Sequence, residues 1–154
     1  MRVVVLVALA ALLTGCASVD RPQAEAIRMM ISAAANKKVV VDFYRTVFIE
    51  KRVIEGFERF VAAGYIQHNP LLQSGREAAV KFLTSRSTRD SIADIKRVIA
   101  EGDLVVLHVH SRNNLADRGR AVVDIFRVAD GKIVEHWDVI QPVPEKPANT
   151  NTMF

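Results

Sequence analysis

The chain has 154 residues, half of them hydrophobic, with a formal net charge of +4 and a pI of about 9.5. That length suits one globular domain of ordinary size. The basic residues are scattered (Lys37-Lys38, Lys51-Arg52, Arg86, Arg89, Lys96-Arg97, Arg118, Arg120) and form no stripe alternating with aromatics, which argues against nucleic acid as a partner.

Arg2 precedes an unbroken apolar run from Val3 to Leu13, of signal-peptide length and short for a bilayer span. The run closes on Leu13-Thr14-Gly15-Cys16, small residues followed by the single cysteine of the chain. This resembles the lipobox of bacterial lipoproteins; an ordinary signal peptide with an incidental cysteine is the other reading. The lipobox implies a signal peptide over 1–15, cut before Cys16, with a diacylglycerol on the Cys16 thiol and an acyl chain on its new amine. Several acyl chains anchor durably, at ~0.8 kcal/mol per buried methylene. Ala17 follows Cys16, and by resemblance to Gram-negative sorting a residue other than Asp there implies the outer membrane, facing the periplasm. With Cys16 consumed, no thiol remains for a disulfide or for catalysis.

Residues 16–33 hold the lipidated cysteine, a polar tether over Ala17 to Pro22 and the start of a helix. Ala24 to Ala35 is rich in Ala and Met and suits a helix. Asn36 can cap a further one, in which Val39, Val40, Phe43, Tyr44, Val47 and Phe48 recur at helical spacing. Glu50 to Ala63 predicts a second helix, stopped by Gly64. Tyr65 to Pro70 suits a short strand running into a loop, since Pro70 biases Asn69 towards extended backbone. Gly75 to Ser87 predicts a third helix with Ala79, Phe82 and Leu83 inward. From Ile92 the period becomes that of strands: Ile92 to Ala100 and Leu104 to Arg112 flank the turn signal Glu101-Gly102-Asp103. A polar loop, Asn113 to Arg118, leads to two more strands within Ala121 to Gln141. Prolines 142, 144 and 147 end the sheet, and residues 143–154 form a polar C-terminal tail. Helices followed by antiparallel strands make an α+β plan. Apolar residues on both sides of the strands predict one face against the helices, bounding a pocket, and another able to meet a partner subunit.

The last two strands carry the chemistry. Their arms are rich in Val, Ile, Phe and Trp, yet hold Asp124, His136 and Asp138 in their interiors. A carboxylate inside a strand is costly unless paired or hydrogen-bonded, and an acid/base site is one reason to keep it. The turn at Asp130-Gly131 sets the register. A two-residue loop puts Asp124 opposite Trp137, with Phe126 opposite Glu135. A three-residue loop with a bulge at Gly131 puts Asp124 opposite His136, with Asp138 on the same face. One residue of slip exchanges the faces. On the preceding strand Leu104, Val106, His108 and His110 share a face, and the two histidines can sit beside the Asp124 strand. His68, in His-Asn-Pro, can reach the pocket mouth. Asp124 then serves as general acid or base, or as a structural carboxylate paired with His110, His136 or an arginine. No metal is expected, because four histidines and nearby Asp residues show no tight ligand spacing. Neither a Gly-x-Ser-x-Gly motif nor a glycine-rich phosphate loop is present.

The strings VVDFYRTVF, YIQHNP, GREAAVKFL, IKRVIAEGDLVVLHVH, VVDIFRVADGKIVEHWDVIQPVP and ANTNTMF closely resemble the SnoaL-like polyketide cyclase family of the nuclear transport factor 2-like superfamily. The likeness covers Ala34 to Phe154, with the domain itself over 34–142, and DIFRVADGKIVEHWD is its most specific part. It implies a cone-shaped barrel of three N-terminal helices packed on a curved, mainly antiparallel sheet, often a homodimer, with a deep apolar pocket and no cofactor. It also implies an Asp acid/base at Asp124, assisted by a histidine at His110, with His108 as alternate. Tyr65, His68, His108, Phe126, His136 and Trp137 are then the candidate ligand contacts. The lipobox-like leader departs from the cyclases, and the periplasmic address it implies argues against a polyketide substrate.

The expected function is cofactor-independent acid/base chemistry, of the aldol-condensation, cyclisation or isomerisation type, on a small apolar carbonyl compound in the cell envelope. The alternatives are a lipoprotein that binds a hydrophobic ligand or partner protein without chemistry, and a structural dimer module.

Overall fold

The structure is a computed structural model that describes residues 20–85 and 91–154. The signal peptide expected over 1–15 and the lipidation expected at Cys16 fall outside the described residues.

Helix α1 runs unbroken over Arg21–Tyr44. Asp20 caps it, accepting from Gln23 N–H at 3.0 Å, and Pro22 sits in the first turn, where a missing N–H costs nothing. The expected second start at Asn36 is absent. Its side chain turns outward and donates to the Gly102 carbonyl at 3.0 Å, so it does not compete for the helix backbone. Past Tyr44 the chain widens into a π-helical turn, Arg45–Ile49, closed by Glu50 N–H on the Arg45 carbonyl. Helix α2, Val53–Phe60, packs back on this turn through Gly56, where a Cβ would lie 2.4 Å from Val47 Cγ2.

Helix α2 is shorter than the sequence predicts. Val61 is already extended (φ −109°, ψ 132°), and Val61–Gln67 forms strand β1. Parallel pairing with the last strand overrides the helix propensity of the two alanines, with Val61 aligned to Ile133 and both fully buried. Helix α3 spans Arg76–Ser85, followed by β2 (Ile92–Glu101), β3 (Leu104–Arg112), β4 (Arg120–Ala129) and β5 (Lys132–Pro142).

The sheet order is β1-β5-β4-β3-β2, with β1 parallel to β5 and the other pairs antiparallel. The α+β expectation of three helices on a curved, mainly antiparallel sheet holds. Period-2 alternation gives β3 and β4 one helix-facing side, made of Val105, Leu107 and Val109 with Val122, Phe126 and Val128. Val40, Phe43 and Tyr44 of α1 close over it, and the Phe43 and Phe126 rings meet edge to face at 5.8 Å. Asp124 lies in the middle of this apolar row, 6% exposed.

The hairpin register differs from both expected ones. Asp130 (φ 50°) and Gly131 (φ 70°) are both left-handed, which is the type I′ geometry of a two-residue loop, and Ala129 pairs with Lys132. The bulge lies further in. Val128 pairs with Ile133 and Arg127 with Glu135, leaving Val134 without a partner. Every later residue of β5 is displaced by one. Asp124 therefore faces Asp138, Phe126 faces His136 and Ile125 faces Trp137. The extra residue puts His136 and Asp138 on the helix-facing side and Trp137 on the outer side.

Candidate active site

Three strands and one helix bring the polar groups together. From β4 comes Asp124, and from β5 come His136 and Asp138. His136 Nε2 lies 3.0 Å from Asp124 Oδ1, and the Phe126 ring is tilted against the imidazole at 4.7 Å. The second carboxylate oxygen, Asp124 Oδ2, is buried and accepts no hydrogen bond of ordinary length, with the Tyr44 phenol interacting with the same carboxylate. A buried acceptor left open is costly, so it is the atom of this site with capacity for a proton or a ligand group.

Parallel pairing of β1 with β5 sets Gln67 beside His136. Tyr65, Gln67 and Asn69, two residues apart, form a hydrogen-bonded row. The Gln67 amide donates to Tyr65 O–H at 2.9 Å, while its oxygen accepts from Asn69 N–H at 2.9 Å and lies 3.1 Å from His136 Nδ1. The Asn69 amide donates to both oxygens of Asp138 at 2.8 Å, and its own oxygen accepts from Leu71 N–H. This fits Asp138 as an acceptor-only carboxylate. From α1 comes Tyr44, 4% exposed. Burial, then the Asp124 charge, hydrogen bonding to Asp124 and the Asp138 charge push its phenol well above the ordinary tyrosine range; burial and the charges of the same two carboxylates also raise Tyr65. Both phenols are therefore neutral O–H groups at physiological pH.

Asp124, His136 and Asp138 each offer a ligand atom within 4.8 Å of the others, but these atoms are turned to hydrogen-bond partners: Asn69 donates to both Asp138 oxygens and His136 Nε2 faces Asp124 Oδ1. Two strands supply them, so no short spacing in the sequence could show the cluster. A groove of about 270 Å³ between α2 and α3, lined by Ile54, Phe57, Glu58, Arg76, Val80 and Lys81 among others, includes none of these polar groups.

Residues 40–136 match the SnoaL-like domain. The chain belongs to that family. Solved structures with the same nuclear transport factor 2-like fold include a candidate ketosteroid isomerase from Kribbella flavida DSM 17836 (18% identity, TM-score 0.64, covering 77% of this chain and 86% of that one). A protein of unknown function from Burkholderia xenovorans LB400 is similar at 13% identity and TM-score 0.64, covering 77% and 91%. A candidate SnoaL-like polyketide cyclase from Jannaschia sp. CCS1 is similar at 20% identity and TM-score 0.56, covering 71% and 87%. At these identities the likeness is one of fold. No curated protein matches the chain.

Within this SnoaL-like domain the expected site residues divide between the two faces of the sheet. Asp124, His136, Phe126 and Tyr65 face the helices. His108, His110, His68 and Trp137 do not, which corrects the expectation that they share the Asp124 side. His108 and His110 pair with Val123 and Ala121, on the outer face of β3. His110 Nε2–H donates to the Arg118 carbonyl at 2.9 Å and its ring stacks on the C-terminal Phe154 at 4.0 Å; His108 accepts from Arg97. His68 stacks flat on Trp137 at 4.4 Å and reaches Glu135, which also pairs with Arg127. The sequence reading missed Tyr44, Gln67 and Asn69. For the latter two the signal was present: in an extended Tyr-Ile-Gln-His-Asn, the tyrosine, glutamine and asparagine share a side and the histidine takes the other.

Proposed function

We propose that this domain is a cofactor-independent acid/base enzyme that moves a proton beside the carbonyl of a small, largely apolar compound. The reaction type is aldol condensation, cyclisation or isomerisation. One observation carries the reading: Asp124 is buried among apolar side chains, held through Oδ1 by His136, with no hydrogen bond of ordinary length on Oδ2 and the Tyr44 phenol beside the carboxylate. Oδ2 takes the proton from the activated carbon, and a neutral phenol, Tyr44 or Tyr65, donates to the developing enolate oxygen. The assisting role first given to His110 passes to His136. The fold shared with a candidate ketosteroid isomerase and a candidate polyketide cyclase supports the same reaction class.

The proposal keeps the domain in the cell envelope, held by lipid on Cys16 at the outer membrane and facing the periplasm. It also pairs two copies through the outer sheet face, where Ile99 and Val139 are exposed. Cys16→Ser releases the protein from membranes if the anchor is there.

The test is solvent deuterium exchange, followed by NMR, at the α-carbons of a panel of ketones, 1,3-diketones and enones. Asp124→Asn lowers exchange by about 100-fold or more with the circular dichroism spectrum unchanged. Full exchange in that variant overturns the mechanism. A second reading, non-catalytic binding of a hydrophobic ligand, draws on the Asp124–His136 pairing itself, which also suits a structural carboxylate. It predicts ligand binding indifferent to Asp124→Asn and no exchange in either protein.

A further inference from the structure

The hydrogen bonds around Gln67 determine where the protons of His136 sit. Asn69 N–H is a donor only and lies 2.9 Å from one end of the Gln67 amide, so that end is the oxygen; the other end, the amino group, meets Tyr65 O–H. The oxygen cannot donate, so its 3.1 Å contact with His136 Nδ1 requires a proton on Nδ1. The other ring nitrogen, Nε2, faces Asp124 Oδ1 at 3.0 Å. An unprotonated Nε2 and a carboxylate oxygen are both acceptors and would repel, so this contact also holds a proton.

We propose that Gln67 is a positioning residue that locks the proton of His136 on Nδ1, so that Asp124 and His136 share one further proton and act as a single acid/base unit.

Two proton placements satisfy the geometry: imidazolium beside carboxylate, or neutral imidazole beside carboxylic acid. In both, Oδ2 of Asp124 is the atom left to exchange with a substrate, because Nδ1 and Nε2 are both engaged. Asp138 does not compete for the shared proton, since Asn69 donates to both of its oxygens. The titratable groups facing the pair are Tyr44 from α1, Tyr65 from β1 and Asp138 from β5; β3 presents apolar Leu107 and Val109. Gln67 itself does not bond to Asp124. It acts through the ring.

The unit's role in turnover rests on the acid/base reading above, but the proton lock does not, and nitrogen NMR separates them. The full chain is labelled with ¹⁵N-histidine, and the His136 signals are assigned by their loss in His136→Asn. Wild-type protein is expected to show a protonated Nδ1 with a one-bond N–H coupling. Gln67→Leu is expected to release the ring into a mixture with Nε2–H. Gln67→Glu, whose carboxylate still accepts from both Asn69 N–H and Nδ1–H, is expected to keep the wild-type signature. Unprotonated Nδ1 in wild type overturns the proposal whether or not any variant folds, and so does an unchanged ring in Gln67→Leu. On any compound that exchanges, Gln67→Leu is expected to lower kcat by about 100-fold or more with KM little changed, and Gln67→Glu to restore most of it. A protonated Nδ1 together with full turnover in Asp124→Asn would sink the acid/base reading and leave the lock standing.

Discussion

His136 and Asp124 meet on a diagonal. The residue directly opposite Asp124 is Asp138, and the one opposite His136 is Phe126, yet His136 Nε2 reaches Asp124 Oδ1 at 3.0 Å. Two carboxylates face each other across the hairpin and each finds a different donor: Asp124 takes the imidazole, Asp138 the Asn69 amide. Like charges placed opposite are unfavourable, and these two partners offset that.

Shared-proton chemistry makes the pair non-additive. Asp124→Asn and His136→Asn are each expected to lower proton exchange by about 10²- to 10⁴-fold. The double variant is expected to be no worse than the more damaging single one, since each single change already dismantles the unit. Rates of α-deuteration for the four proteins test this; multiplicative losses would mean that the two residues act separately.

Alkaline titration reads the site directly, because the chain has two tyrosines, Tyr44 and Tyr65, and both lie there. Their folded-state values are raised, by burial first and by Asp124 and Asp138 next. The unfolded chain ionises its tyrosines near ~10. The stability they contribute is therefore intact below that value and lost as pH rises above it, where the unfolded state releases protons first. Tyrosinate absorbance should appear together with loss of circular dichroism, not before it.

Acid stability depends on the outer face. Hydrogen bonding from Arg127, with a further bond from His68, holds the Glu135 carboxyl below its ordinary range. A lowered folded value contributes stability above the unfolded carboxylate value of ~4.3 and loses it as pH falls through the folded one. Arg127→Gln should lower the urea midpoint at neutral pH, and the difference from wild type should shrink in acid. A gap that stays constant would place the effect of Arg127 in packing.

Gly56 tests the π-helical turn. Alanine is favoured over glycine inside a helix by about 1 kcal/mol. Here its Cβ would lie 2.4 Å from Val47 Cγ2, and Val47 is a core residue, 2% exposed. Overpacking of that kind costs about 1–3 kcal/mol, so Gly56→Ala should be destabilising in urea denaturation. Val47→Ala in the same chain should relieve part of the loss. Stabilisation by Gly56→Ala alone would show that α2 shifts freely on the turn.

The sequence by itself determined the α+β plan, the two hairpins and the place of Asp124 as a carboxylate in a strand interior, because strand alternation, glycine-aspartate turn chemistry and a carboxylate among apolar residues are local signals. It also marked Tyr65-Ile66-Gln67-His68-Asn69 as extended. Tertiary structure alone decided which side of that strand meets the site: parallel pairing with β5 turned Gln67 and Asn69 towards His136 and sent His68 out to Trp137. It decided the partner of Asp124 in the same way. Val134 carries no bulge signal of its own, yet leaving it unpaired moves each later β5 residue by one position along β4. Period-2 geometry converts that single residue into a complete exchange of faces, and so His136, in place of His110, stands beside the acid. Ile133, the last residue of β5 before the unpaired one, is buried against Val61 of the parallel strand β1, some seventy residues away in the chain; the turn pattern at Asp130-Gly131 offered two registers and neither puts the bulge at Val134.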